Sequence, residues 1–189
     1  MNKQQLRELY KEKRSLLSST DKMKYDDLLL IQFQQLSFTH IQTVFSYWPL
    51  DHMNEPDTHN VSEFLHFVIP DLQLAYPRTN FSSSQMDAIA VNDDTIYITN
   101  DYGITEPEDG KTIDPKAIDL ILVPLLIFDK KGFRVGYGKG FYDKYLSQCR
   151  EDVIKVGFSY FDAIDRIDDT NEYDIPLNLC ITPDIIYEF

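Results

Sequence analysis

Three glycines at alternate positions, Gly136, Gly138 and Gly140, enclose Tyr137 and Lys139, and Phe141-Tyr142-Asp143 follows at once. Glycine removes the Cβ at each of these places, so backbone N–H groups can come close to a bound anion. Lys130, Lys131, Arg134, Lys139 and Lys144 place five of the chain's eighteen basic residues around the same loop. The combination predicts a phosphate-binding loop. A helix opening near Gly140 would add free N–H groups and the positive end of its dipole. A ligand-free turn between a strand and a helix accounts for the glycines but not for five cations. Neither common phosphate motif fits. Lys139 is followed by Gly140, where a P-loop has Ser or Thr, and the third glycine comes one residue too early for a dinucleotide loop.

The elements that must position this loop can be read along the chain. Residues 3–17 predict a helix with Leu6, Leu9 or Tyr10, Leu16 and Leu17 as its apolar stripe. Ser18-Ser19-Thr20-Asp21 breaks it and caps a second helix reaching about Leu36, with Met23, Leu28, Leu29, Ile31, Phe33 and Leu36 inward. Val44–Trp48 predicts a buried strand ended by Pro49, and Asp57 or Thr58 starts a helix to about Phe67. Leu72–Tyr76 predicts a strand closed by Pro77-Arg78. Met86–Val91 and Thr95–Thr99 predict a hairpin turning at Asn92-Asp93-Asp94. Ala117–Val123 reads as a central strand covered on both faces, with Pro124 at its end. A helix over 141–149, a strand over 153–158 and a short edge strand at 185–187 complete the chain. Strands alternating with helices predict one layered, Rossmann-like α/β domain over 1–189, its mixed or mostly parallel sheet flanked by helices. Glycine loops in such folds lie at the carboxyl ends of the strands, where ligands bind.

Composition excludes several classes. At 189 residues, 43% hydrophobic and 13% aromatic, the chain can bury a core and is not disordered. A net charge of −13 argues against a nucleic-acid surface, and makes the local concentration of cations around 130–144 more telling. Cys149 and Cys180, and His40, His52, His59 and His66, show no metal or redox spacing. No apolar run suits a signal peptide or a membrane span, so a soluble cytoplasmic protein is expected.

Pro124, a short apolar run, Phe128-Asp129, a Gly-x-Arg turn and Gly-x-Gly-x-Gly-Phe-Tyr-Asp together resemble the signature of 5-formyltetrahydrofolate cyclo-ligases, also called methenyltetrahydrofolate synthetases. Further matches extend from Lys3 to about Asp174. The resemblance implies an ATP- and Mg²⁺-dependent conversion of 5-formyltetrahydrofolate, free or polyglutamylated, to 5,10-methenyltetrahydrofolate, with ADP and phosphate released. It implies that Lys3-Gln4-Gln5-Leu6-Arg7 and Arg134-Val135-Gly136-Tyr137-Gly138-Lys139-Gly140-Phe141-Tyr142 contact ATP. Trp48, Glu55, Arg78 and the stretch Tyr137–Phe141 would meet the folate. Lys139, Arg134 and Tyr142 are the catalytic candidates, and Asp143 and Asp174 the Mg²⁺ ligands. A monomer with no nucleic-acid or membrane partner is expected.

The residues taken singly have plainer readings. Lys3 and Arg7, four apart, make a solvated helix face. Glu55 is an exposed loop carboxylate, Arg78 a surface cation, Tyr142 a core aromatic, and Asp143 a partner for Lys139 or Lys144. The chain departs from the family pattern at Phe141, usually Tyr, and at Lys144, usually Arg; position 137 varies in the family. A ligand-sensing module or a sugar-phosphate isomerase-like enzyme on a similar sheet is the alternative function.

Overall fold

The computed structural model describes residues 1–189. Helix α1 (Lys3–Ser15) opens in a capping box, with the Asn2 side chain accepting from the Gln5 N–H and Gln5 answering to the Asn2 N–H. Helix α2 (Ser19–Phe33) is capped by Ser18. Strand β1 (Thr43–Phe45) leads through α3 (Thr58–Val68), capped by Asp57, to β2 (Gln73–Asn80) and β3 (Gln85–Ala90). Strands β4 (Tyr97–Thr99), β5 (Thr105–Pro107), β6 (Thr112–Ile113) and β7 (Leu120–Val123) follow. Then come β8 (Ile127–Phe128), β9 (Arg134–Val135), α4 (Phe141–Leu146), β10 (Ile154–Phe158), β11 (Leu179–Ile181) and β12 (Ile186–Glu188).

Eight strands form one mixed sheet in the order β12-β11-β10-β7-β1-β2-β3-β6. Pairings among β11, β10, β7, β1 and β2 are parallel, and antiparallel strands close both ends. All four residues of β7 are buried, as its unbroken apolar run predicts. Strand alternation sends Val44, Leu120 and Leu122 into one core with Leu29, Phe33, Val61 and Leu65 from α2 and α3. Phe45, Ile121 and Val123 point to the opposite core, which Tyr145 and Leu146 of α4 complete.

The crossover from β1 to β2 therefore runs over one face, through α3, and the one from β7 to β10 over the other, through α4. Neighbouring strands β1 and β7 flank the switch point where such folds open a crevice beyond their carboxyl ends. A third cluster, of Leu6, Tyr10, Leu126, Ile127, Val135 and Ile167, docks α1 onto the β8–β9 hairpin. That contact carries the basic face of α1 to the glycine loop.

Several predicted elements differ. Met23, Ile31 and Leu16 face solvent, because α1 and α2 each bury only a narrow stripe. Strand β2 passes through Pro77 instead of ending before it. Its pairing with β1 stops at Ala75, so the missing N–H at Pro77 breaks no ladder bond to β1. The hairpin over 86–99 does not form: β3 pairs with β2 and β6, and β4 pairs with β5. The glycine loop follows the β8–β9 hairpin and not β7 directly. Buried Asp129 shapes that hairpin by accepting from the N–H groups of Lys131, Phe133 and Ile167. Strand β11, unread in the sequence, lies between β10 and β12. No helix is long and apolar enough to cross a membrane.

Candidate active site

A cavity of about 570 Å³ opens beyond the carboxyl ends of β1 and β7, between α1 and the glycine loop. Tyr47 and Trp48, just past β1, and Pro124, just past β7, form part of its floor. The volume falls in the range of small-molecule sites.

Four cations on α1 follow a helical spacing, Lys3, Arg7, Lys11 and Arg14. The first three line the cavity. Arg7 Nε donates to the Gly136 carbonyl at 2.9 Å, and its guanidinium lies against Gly138. A Cβ on Gly138 would stand 3.0 Å from Arg7 Cζ, and the residue has φ +90°, so only glycine lets the arginine pack there without strain. Lys3 Nζ is held by both oxygens of Asp174, at 2.5 and 2.6 Å. Lys139 lines the cavity, is exposed and makes no ion pair or hydrogen bond within the chain.

Arg134 is buried and pairs with Asp143 Oδ1 at 3.0 Å, while its Nη1 donates to the Ile175 carbonyl at 2.6 Å. Asp143 Oδ1 also accepts from the Ile175 N–H at 3.1 Å. Burial pushes the Arg134 guanidinium down from its usual value, and Asp143 opposes the shift. Asp143 Oδ2 carries no hydrogen bond. The Tyr142 hydroxyl is buried without a partner, and burial raises its pKa.

The plain reading of Glu55 as an exposed carboxylate is overturned: it is 3% exposed. Its Oε2 accepts from the Leu50 N–H at 2.8 Å and its Oε1 from the Tyr137 hydroxyl at 2.5 Å. Thr58 fixes the same loop by donating to the Tyr47 carbonyl at 2.6 Å. Trp48 rests edge-on against His59 and tilted on Tyr97, with centroids at 4.5 and 4.7 Å. Glu106 of the Gly-x-x-Glu-Pro element is buried and accepts from the Thr79 N–H and Asn100 Nδ2, tying the β4–β5 hairpin to the end of β2.

The structure thus brings Lys3, Arg7, Trp48, Glu55, Arg134, Gly136–Asp143 and Asp174 to one cavity. Gln4 and Gln5 remain on the exposed side of α1, and the Leu6 and Val135 side chains serve the cluster beneath it. Arg78 does not face the cavity: Pro77 and Thr79 do, and the period of two in a strand turns Arg78 to the opposite side. Of the five cations counted near the loop, only Arg134 and Lys139 line the cavity. Lys130 pairs with Asp165 on the surface. Helix α4 spans six residues and offers little dipole, so the loop and the α1 cations carry the anion-binding potential. Arg14 and Lys11 escaped the sequence reading, although their spacing continues the Lys3–Arg7 row.

Burial raises the Glu55 pKa above its ordinary value; the Tyr137 hydroxyl, the Leu50 N–H and Arg14 pull it back only in part. The folded chain therefore holds this proton to higher pH than the unfolded chain. Its contribution to stability is lost as pH rises through the folded pKa, so the ionised form is the costlier one to fold. Glu55→Gln is expected to flatten the dependence of Tm on pH, at some cost at every pH because its NH2 group must face one of two donors, the Leu50 N–H or the Tyr137 hydroxyl. Melting curves of both proteins across pH check this; the same pH slope in the two would exclude Glu55 as the titrating group.

An α/β fold with a cation-rich glycine loop at its switch point, facing an aromatic-lined cavity, is the framework of an enzyme for an anionic substrate. The family model described as the 5-formyltetrahydrofolate cyclo-ligase family matches residues 1–183, and the chain belongs to that family. It is 29% identical over 186 residues to a 5-formyltetrahydrofolate cyclo-ligase of Mycoplasma pneumoniae, covering 96% of this chain and 98% of the relative. A match to the Mycoplasma genitalium cyclo-ligase is 36% identical over 74 residues and spans 45% of that protein. The solved 5,10-methenyltetrahydrofolate synthetase of Aquifex aeolicus superposes with a TM-score of 0.82 at 26% identity, covering 100% of this chain and 93% of its own. The Mycoplasma pneumoniae synthetase structure gives 0.75 at 28% identity, with 96% and 98% covered.

Proposed function

We propose that the protein cyclises 5-formyltetrahydrofolate to 5,10-methenyltetrahydrofolate while converting ATP to ADP and phosphate. The observation that carries this reading is the position of the glycine loop between two unlike walls of one cavity. Gly136 and Gly138 meet Arg7 on the cationic side, and Tyr137 meets Glu55 on the side where Trp48 lies. A polyphosphate and a flat heterocycle can meet at such a loop.

The formamide oxygen is a poor leaving group, so ring closure with loss of water needs activation. Transfer of the γ-phosphoryl group to that oxygen turns it into a phosphate. N10 of the folate then attacks the formyl carbon, its proton departs, and the C–O bond breaks to release phosphate and leave the methenyl bridge. Phosphoryl transfer depends chiefly on positioning and charge neutralisation. Lys139 and Arg7, with the loop N–H groups, hold the transferring phosphate. Arg134 acts from behind the loop by fixing Asp143. Glu55 accepts from the N–H groups of the pterin, and Trp48 packs against the ring.

Mg²⁺ bound with the nucleotide would neutralise phosphate charge during the transfer. Asp143 fits as its holder, since a hard cation takes carboxylate oxygen and Oδ2 is free of protein hydrogen bonds. Asp174, both of whose oxygens accept from Lys3, joins only if Lys3 turns to the phosphates.

Purified protein with 5-formyltetrahydrofolate, ATP and Mg²⁺ is expected to produce the methenyl absorbance, and to produce none when nucleotide or metal is omitted. ATP binding without that absorbance would favour a sensor. Failure to bind ATP would remove the phosphate loop from the reading.

A further inference from the structure

The Tyr137 hydroxyl sits at the centre of a hydrogen-bonded chain of which the reaction scheme uses only the Glu55 end. Arg14 Nη1 donates to it at 3.0 Å, and it donates to Glu55 Oε1 at 2.5 Å. Its ring lies 5.7 Å from the Lys11 ammonium, in cation–π range. Arg14 is 1% exposed, lies at the inner end of the α1 cation row, and forms no ion pair within 4 Å of a carboxylate. Its Nη2 donates to the Leu125 carbonyl, just past β7, and its own carbonyl accepts from Asn54 Nδ2, next to Glu55.

A buried guanidinium costs free energy unless it is well partnered, and its Nε has no partner. Packing of α1 does not need it, since Leu6 and Tyr10 supply the apolar contact. Its contacts instead converge on the three segments that frame the folate wall: the corner after β7, the loop before α3 and the glycine loop.

We infer that Arg14 is a positioning residue for the folate, acting through the Tyr137 hydroxyl to hold the Glu55 carboxylate in its binding orientation. The inference rests on the cyclo-ligase reading given above. Tyr137 can relay the arginine's direction because a phenol accepts and donates at one oxygen. Burial and the neighbouring Glu55 charge keep its proton on, so the donor toward Glu55 is always present. Phenylalanine at position 137 would preserve the ring and the Lys11 contact but break the chain at one atom. Position 137 also belongs to the glycine loop, so the relay links the folate wall to the element that meets phosphate.

The test is a double-mutant cycle on Tyr137→Phe and Arg14→Met, with 5-formyltetrahydrofolate and a non-hydrolysable ATP analogue titrated separately by calorimetry. Tyr137→Phe should weaken folate binding about tenfold, the effect of losing one hydrogen bond to a buried charged group. Binding of the nucleotide analogue should stay within about twofold. Arg14→Met should weaken folate binding in the wild-type background and add little once the hydroxyl is gone. If Arg14→Met fails to fold, the cycle of Tyr137→Phe with Glu55→Gln reads the second half of the relay and should likewise be non-additive. Unchanged folate affinity in Tyr137→Phe, or full additivity in the cycle, would overturn the relay alone. A wild-type protein that neither binds nor cyclises 5-formyltetrahydrofolate would overturn the cyclo-ligase reading and the relay with it.

Discussion

Asp143→Ala is expected to cost the fold about 3 kcal/mol and to abolish turnover, because in the proposed mechanism one carboxylate serves both. The Arg134 side chain is 5% exposed and that of Asp143 is 30% exposed. Removing the acid leaves a buried guanidinium with only the Ile175 carbonyl for company, and the Ile175 N–H loses its acceptor. Truncating one member of a buried ion pair costs about 3–5 kcal/mol, and the partial exposure of Asp143 places this case at the lower end. For a chain of this size the loss corresponds to about 10 °C in Tm. Asp143→Asn separates the two roles. Its Oδ1 can still accept from Arg134 and Ile175, so it should cost about 1 kcal/mol. It removes the negative charge that the proposed Mg²⁺ site would use, so turnover should fall about as far as in the alanine variant. Thermal melts and initial rates of the two variants check both halves. An Asp143→Asn protein with wild-type turnover would show that the carboxylate only props up Arg134.

How much of this was legible in the sequence depends on the range of each interaction. The glycine loop announced itself because its spacing is local, and the central strand because Leu120–Val123 is apolar without a break. Cations counted along the chain were a poor guide to cations in space. Lys130, Lys131 and Lys144 are near the loop in sequence and do not line the cavity, whereas Lys11 arrives from a helix more than a hundred positions earlier. The helical spacing Lys3, Arg7, Lys11, Arg14 is the signal in the sequence that points to Lys11 and Arg14. In sequence Asp143 stands beside Lys139 and Lys144; its partner is Arg134, across the loop. Glu55 looked exposed because polar residues surround it in sequence, and its burial comes from Tyr137, 82 positions away. The fold class followed from alternating elements, but the pairing of β4 with β5 in place of β3 was a choice between equally plausible neighbours. Buried Glu106 decides it by tying the β4–β5 hairpin to β2.

Lys139→Ala should show the opposite balance from Asp143→Ala, losing activity while keeping the fold. Lys139 is exposed, sits between two glycines with positive φ, and contacts nothing that a truncation would orphan. Substitutions at such positions change stability by no more than about 0.5 kcal/mol. Every other lysine or arginine at the cavity has a protein partner: Arg7 the Gly136 carbonyl, Lys3 Asp174, Arg134 Asp143, and Lys11 the Tyr137 ring. The unpaired ammonium is therefore the one whose charge is wholly available to phosphate. Removing a cationic group that meets developing charge costs about 100- to 1,000-fold in rate, and kcat/KM for ATP should fall by that much. Binding of 5-formyltetrahydrofolate should fall far less. Lys139→Arg, which keeps the charge but alters its shape, should recover part of the rate. Unchanged Tm with a hundredfold loss would place Lys139 in the phosphoryl-transfer step; wild-type turnover in the alanine variant would leave the loop backbone and Arg7 to do that work alone.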